Sequence, residues 1–173
     1  MKIAFWDREC PFMWHKERLV NLAVQRLPTH YTHVVWLDND VIVGPGWRDA
    51  VREAFKKAPL IQAFRAAHHQ RADGYAFSQP SALLPGENGV MGLAWGACRS
   101  LFTDGPGLFE LALVGGGDTA LGIPAMARTA GYNSVPWLYE RPAWPARVWP
   151  RQLLKPYETW RSDITRWIGD ADP

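Results

Sequence analysis

The chain lacks any run of about 18 consecutive apolar residues, the length that a helix needs to cross a bilayer. It has only two cysteines, Cys10 and Cys98, too few for a disulfide framework, and we interpret them as thiols in a reducing compartment. The formal net charge of +2 is too small to indicate a nucleic-acid partner. Asp7, Arg8 and Glu9 interrupt the first apolar residues, which argues against a signal peptide. We therefore expect a cytoplasmic protein with no membrane span.

What the chain does have is an ordinary globular composition, 47% apolar and 21% charged. At 173 residues it is long enough for one domain, which buries roughly 70% of its unfolded surface by the usual scaling. Ten Trp and 14 Pro are the outliers, and scattered Trp are more often core residues than ligand platforms. We expect a single domain over residues 1–173, with a Trp/Pro-rich C-terminal segment and helix at residues 136–173.

The most informative stretch is VVWLDNDVIV at residues 34–43, which places two carboxylates in an apolar run. The apolar residues predict a strand buried on both faces, as in a parallel sheet covered by helices. Asp38 and Asp40 then share one side of the strand end, where open α/β sheets bind ligands. Two such carboxylates predict a hard divalent cation, Mg²⁺ or Mn²⁺. The alternative is a surface turn in which the acidic residues only cap backbone groups.

Helical and strand patterns alternate around this stretch. Residues 14–27 and 47–58 have the spacing of amphipathic helices, and residues 60–64 are apolar enough for the next strand. This order predicts an α/β fold with a mixed, mainly parallel sheet flanked by helices.

The polar residues 65–89 predict a long loop, and loops of this length in compact domains are usually functional or disordered. His68 and His69 lie in it, but adjacent side chains on regular structure point apart, so they make a poor metal pair. The next segment, VMGLAWGA, predicts a strand with glycines that allow close backbone approach. Its Trp95 is either a core residue or a stacking platform for a ligand, and Arg99 beyond it is a candidate ligand contact.

Three consecutive glycines at residues 115–117 precede Asp118. Because glycine runs are costly in backbone entropy, they predict unusual dihedrals or close approach at this point, and Gly116 and Gly117 are candidate ligand contacts. Asp118 or Thr119 is a candidate N-cap of a following helix, a role that does not exclude catalysis.

Apolar residues recur at helical spacing near the C-terminus, at Leu153, Tyr157, Trp160, Ile164, Trp167 and Ile168. They predict an amphipathic helix whose apolar stripe docks on the domain or on a protein partner. Without a strongly basic face, binding to a membrane surface is less favoured.

With both acidic segments in view, the chain resembles the glycosyltransferases of the GT-A fold, in particular family-2-like bacterial and phage sequences. Four segments carry the resemblance, across residues 14–130: WHKERLVNLAVQRLP, VVWLDNDVIV, GLAWGACR and GLFELALVGGGDTAL. It implies a nucleotide-sugar donor, an unknown acceptor and Mn²⁺ or Mg²⁺ as cofactor. Asp40 would be the direct metal ligand, Asp38 a ribose or metal contact, and Asp118 the catalytic base, as in inverting members. Only 33 residues precede Val34, so we expect a shortened nucleotide-binding half.

Two other functions are compatible with the motifs. One is a non-catalytic glycosyltransferase-like module that binds a sugar or a protein through its Trp-rich C-terminal helix. The lesser alternative is a phosphatase of the haloacid-dehalogenase type, with Asp38 as nucleophile and Asp40 as acid/base. That scheme needs a Thr or Ser soon after Asp40, whereas Val41 and Ile42 follow it.

Overall fold

The main sheet has three strands, and all of its pairings are antiparallel. It consists of β1 (His33–Leu37), β2 (Leu60–Gln62) and β5 (Ala94–Cys98), in the order β1-β5-β2. Val35 of β1 pairs with Gly96 of β5. The structure, a computed structural model, describes residues 15–84, 89–113, 115–129 and 149–171.

The antiparallel pairing shows that the prediction of a mainly parallel sheet was wrong. β1 and β2 do run in the same direction, and α2 (Trp47–Phe55) connects them, as the alternation of patterns predicted. However, β5 comes later in the chain and lies between them, so each neighbouring pair is antiparallel. Hydrophobic periodicity gives the order of elements but not which strand inserts between two others.

β1 is an edge strand of this sheet, and its burial also differs from the prediction. His33 and Leu37 at its ends are exposed, whereas all five residues of β5 are buried. The β5 sequence, AWGAC, has no β-branched residue. The fully buried strand therefore lacks the β-branched residues that are typical of such strands.

Helix α2 covers one face of the sheet. Its Phe55 lies directly over Gly96 of β5, where an added Cβ would be 2.7 Å from the ring Cζ atom and 3.2 Å from Cγ2 of Val35. Because real Cβ atoms do not approach so closely, the glycine is needed for this packing. The prediction at Gly96 was close backbone approach to a ligand or another strand; the group that approaches most closely is a helix side chain, the ring of Phe55.

The other face of the sheet carries the larger core, which four helices build. They are α1 (Lys16–Gln25), α3 (Ser100–Thr103), α4 (Gly117–Thr129) and α5 (Arg151–Asp170). Fourteen buried residues form this cluster: Leu60, Trp95, Ala97, Leu101, Leu108, Phe109, Ala112, Ala120, Leu121, Ala125, Trp149, Tyr157, Trp160 and Ile164. The predicted C-terminal helix therefore docks its stripe on the domain itself.

A β-hairpin replaces the long loop predicted for residues 65–89. Strands β3 (Ala66–Arg71) and β4 (Gly74–Pro80) pair antiparallel in a separate two-stranded sheet. The missed signal is Asp73-Gly74, a dipeptide that favours tight hairpins; Asp73 is the last residue of the turn and Gly74 the first residue of β4. His69 stacks on its cross-strand partner Phe77, with ring centroids 4.4 Å apart.

Parts of the sequence predictions lie outside the described residues. These are the short apolar stretch at residues 3–6 and most of the Trp/Pro-rich segment, residues 136–148. Within the described part of the chain, no helix is long and apolar enough to cross a membrane.

Replacing Ile164 by Ala tests the docking of α5. Ile164 is fully buried in the aromatic core, so the change removes buried methyl groups and leaves a cavity, at a cost of about 2–5 kcal/mol. The matched control is Thr165→Ala, because the adjacent Thr165 is exposed and its hydroxyl donates only to Arg161 O of its own helix, 2.7 Å away. Urea unfolding of both variants measures the difference, and equal losses would contradict the docking.

Candidate functional site

Asp38 directly follows β1, and both its backbone and its side chain bond to Leu93. The Asp38 N–H donates to the Leu93 carbonyl oxygen (2.8 Å), and the Leu93 N–H donates to Asp38 Oδ2 (3.1 Å). Leu93 has a φ of +78°, alone among the non-glycine residues that the structure describes. Such a backbone costs about 1–3 kcal/mol and persists only where its surroundings fix it. The Asp38 carboxylate is therefore held in place at the carboxyl end of β1.

Asp118 lies in the first turn of α4, the helix predicted to follow the glycines. It is not the N-cap, because α4 begins at Gly117 and the Ala120 N–H donates to the Gly116 carbonyl. A carboxylate in the first turn is favoured by the helix dipole. The N-cap is therefore Gly116, two residues before Asp118, so the interpretation of Asp118 as the cap was wrong; the Asp118 side chain accepts from Lys16 instead.

The local structure requires glycine at all three positions of the GGGD segment. Gly115 and Gly116 have φ angles of +89° and +85°, in the left-handed region that L side chains rarely adopt. Any side chain at Gly117 would overlap the carboxyl group of Glu17. The predicted unusual dihedrals and close approach are confirmed, and they account for Gly116 and Gly117 without a ligand.

Lys16, the first residue of α1, brings the two acidic segments together. Its Nζ atom is 2.5 Å from Asp118 Oδ2 and 3.5 Å from Asp38 Oδ1. The three side chains are part-buried, with 19% of Lys16, 32% of Asp38 and 24% of Asp118 exposed. The site is therefore open to solvent on one side while its charges remain close enough to interact strongly.

The environment raises the pKa of both members of the closest pair. Burial is the largest influence on Asp118 and raises the pKa of its carboxyl, which the Lys16 hydrogen bond and charge lower and the Asp38 charge raises. For Lys16 burial alone would lower the pKa, but the hydrogen bond to Asp118 and the charges of Asp118, Asp38 and Glu17 outweigh it. Asp118 is consequently a stronger base than an ordinary aspartate, and Lys16 stays protonated.

Glu17 also lies at this site, although the sequence favours a solvated face for Lys16, Glu17 and Arg18 over contact with a ligand. It is only 4% exposed, its carboxyl packs on Gly117, and burial raises the pKa of that carboxyl. A signal was present: Glu17 lies on the same helical stripe as Asn21 and Val24, which are also buried. Charged residues at the start of a helix are usually solvated, so the expected position of Glu17 was on the surface.

The structure separates the two acids of the D-x-D segment. Asp38 is part of the site, whereas Asp40, two residues on, is exposed. Among the described residues no group of three or more His, Cys, Asp or Glu side chains is arranged to hold a metal ion. A hard cation needs only one or two carboxylates when water and phosphate complete its shell, but the Asp38 carboxylate already accepts from the Leu93 N–H and lies 3.5 Å from the Lys16 ammonium.

Two predicted ligand contacts lie elsewhere. Trp95 is fully buried, and its Nε1 donates to the Met91 carbonyl oxygen (2.7 Å), so its place is the core. Arg99 donates to the carbonyl oxygens of Pro28 (2.6 Å) and Leu27 (2.9 Å), beyond the end of α1. It is six residues along the strand from Leu93, on the order of 20 Å at about 3.3 Å per residue. These positions favour structural roles for both side chains.

Comparisons with protein-family models, with characterised proteins and with solved structures find no match to this chain. The function is therefore inferred from the geometry of the site.

The buried Glu17 predicts a pH-dependent stability. Because its pKa is raised in the folded protein, folding gains from the protonated form at low pH, and this gain is lost as the pH rises from the ordinary value of 4.5 through the folded pKa. Glu17→Gln removes this loss, so its unfolding free energy should equal that of the wild type at low pH and exceed it at neutral pH. Urea unfolding from pH 4 to pH 8 measures the effect.

The control for this experiment is Glu53→Gln, since the side chain of Glu53 on α2 is 65% exposed. It should leave the pH dependence of the wild type unchanged. A Glu17→Gln variant that is no more stable than the wild type at neutral pH would show that burial of this carboxylate carries no cost.

Proposed function

We propose that the protein transfers a glycosyl group from a nucleotide-diphosphate sugar to a hydroxyl of an acceptor, with Asp118 as general base. The observation that carries this proposal is the convergence of Asp38 and Asp118 on Lys16. The two carboxylates come from segments that are far apart in the sequence, and each segment has its own motif. The approach of a second carboxylate to Asp118, whose pKa is raised mainly by burial, in a part-open site supports an acid–base function.

Asp118 has the properties that a general base requires. Its raised pKa brings its basicity closer to neutral pH, and Lys16 holds the ionised form by a hydrogen bond. In the proposed reaction the acceptor oxygen bonds to the anomeric carbon of the donor while the bond from that carbon to the diphosphate oxygen breaks. The hydroxyl proton passes to the Asp118 carboxylate.

Asp38 and Asp40 would hold the divalent cation of the proposal, Mg²⁺ or Mn²⁺. When bound, such an ion neutralises the diphosphate leaving group. Among the described residues, the Lys16 ammonium is already engaged by the charges of Asp118, Asp38 and Glu17, so the proposal assigns the neutralising charge to the cation. Asp38 is fixed by the Leu93 N–H, while Asp40 is exposed and accessible to a ligand.

The second candidate is a non-catalytic sugar-binding module, and the Lys16 contacts favour it too. By engaging both carboxylates, Lys16 ties the start of α1 to the end of β1 and to α4. The same contacts would serve a purely structural role. Partner binding through the C-terminal helix has less support, because Tyr157, Trp160 and Ile164 are buried within the domain.

Replacing Asp118 by Asn tests the assignment of the base. Asn has nearly the same shape and still offers an oxygen to Lys16, but it cannot take the proton. Turnover should fall by roughly two to four powers of ten, the usual share of general base catalysis. Hydrolysis and transfer are measured with a panel of nucleotide-diphosphate sugars in the presence of Mn²⁺, alongside thermal unfolding.

The control for Asp118→Asn is Asp163→Asn on α5, where the Asp163 side chain is 46% exposed. Equal rates for wild type and Asp118→Asn would remove Asp118 from the mechanism. Sugar binding by a wild type that neither transfers nor hydrolyses any donor would instead support the non-catalytic module.

Replacing Asp40 by Ala tests the cation and diphosphate site. Loss of a direct ligand should weaken Mn²⁺-dependent binding of a nucleotide diphosphate at least about tenfold, since even outer contacts cost 10- to 100-fold. Isothermal titration calorimetry with a panel of nucleotide diphosphates measures this. Asp49→Ala is the control, because the Asp49 side chain on α2 is 79% exposed. Indistinguishable heats for wild type and Asp40→Ala would exclude Asp40 as a ligand.

A further inference from the structure

A buried amide lies next to the candidate site and has no part in the proposed reaction. Gln62, at the end of β2, is 8% exposed. Its Nε2 donates to the carbonyl oxygens of Val90 (2.7 Å) and Met91 (3.0 Å), and the Gly92 carbonyl oxygen is 3.5 Å away. One side chain therefore gathers three successive carbonyl groups of the segment that precedes β5.

Ser81 fixes which way this amide points. Its hydroxyl donates to Gln62 Oε1 (2.6 Å) and accepts from the Leu83 N–H (3.2 Å). With Oε1 occupied by a donor, the amide nitrogen must face the carbonyl groups. Trp95 adds a second donor to the Met91 carbonyl. Buried polar networks that are satisfied in this way specify one arrangement of the chain.

The segment that Gln62 holds forms a wall of the candidate site. A Cβ added at Gly92 would be 3.5 Å from Asp118 Oδ2 and 3.7 Å from Asp38 Oδ2, so its backbone faces both carboxylates. Leu93, the next residue, donates its N–H to Asp38 Oδ2 and holds a left-handed backbone. Gln62 thus connects to Asp38 through Gly92 and Leu93.

We propose that Gln62, oriented by Ser81, is a positioning residue that sets the place of the Asp38 carboxylate by holding the segment from Val90 to Gly92. Gln62 touches neither carboxylate and acts through the backbone of Leu93. The inference deepens the proposed function, because it rests on a reaction at Asp38 and Asp118. A site of this kind needs such support, since displacement of a reacting group by about 1 Å can cost on the order of 10²-fold in rate.

The test is the amide signal of Leu93 in ¹H–¹⁵N NMR spectra of the full chain. Asp38→Ala first shows how this signal moves when the Leu93 N–H loses its acceptor. Gln62→Met keeps the length of the side chain but removes its donors, and it should move the Leu93 signal in the same direction. Gln70→Met is the control, because Gln70 is exposed on β3 and should leave the signal unchanged.

A folded Gln62→Met protein whose Leu93 signal matches that of the wild type would overturn the proposal, whatever its stability. If Gln62→Met does not fold, Ser81→Ala decides the question, since it removes the hydrogen bond that orients the amide, together with the one that the hydroxyl accepts from the Leu83 N–H. It should shift the Leu93 signal in the same direction, and an unshifted signal would refute the positioning role.

Failure of the proposed function is distinguishable from failure of this inference. If the wild type turns over a donor, Gln62→Met should lower kcat by roughly 10²-fold, while Gln70→Met should retain the wild-type kcat. If the wild type turns over none, glycosyl transfer is excluded, and the Leu93 signal still decides whether Gln62 positions Asp38.

Discussion

The ammonium group of Lys16 is the constraint on which the arrangement of the site depends. It is 2.5 Å from one carboxylate and 3.5 Å from the other, in a place where about three quarters of each side chain is shielded from water. Two carboxylates brought together there without a cation would repel each other and one would take up a proton. Lys16 allows the Asp38 and Asp118 carboxyl groups to share a site, and it joins three elements that are distant in sequence.

The backbone around this ammonium is adapted to bring the groups so close. Gly117 has no side chain because the Glu17 carboxyl occupies that space, and Leu93 accepts a left-handed backbone to bond Asp38 twice. A strained backbone and contacts this close cost free energy that an ordinary helix turn or strand end does not lose. They concentrate at one end of the sheet, whereas the opposite end is closed by ordinary contacts such as those of Arg99.

The sequence was sufficient to find Asp38 and Asp118, because each interrupts an apolar or glycine pattern that packing alone would not produce. For Lys16 and Glu17 it favoured a solvated face over a ligand contact, and it gave no indication of Gln62. Each of these acts through a contact with a residue far along the chain, and local periodicity carries no information on such contacts. The parallel sheet was wrong for the same reason: β1 and β2 have the predicted order, but the later insertion of β5 decides their pairing.

The balance of charge bears on whether the site is functional or only structural. A structural ion pair is most stable when its charges cancel and its hydrogen bonds are all formed. Even then, a buried ion pair is often no more stable than apolar residues of the same volume. Here Asp38, Asp118 and Glu17 face one Lys16, and burial raises the pKa values of Asp118 and Glu17, which means that their charged forms are destabilised by folding. Groups that cost stability are expected where a ligand or a reaction needs them. The excess of acid at this open face therefore costs stability, as the proposed function would require.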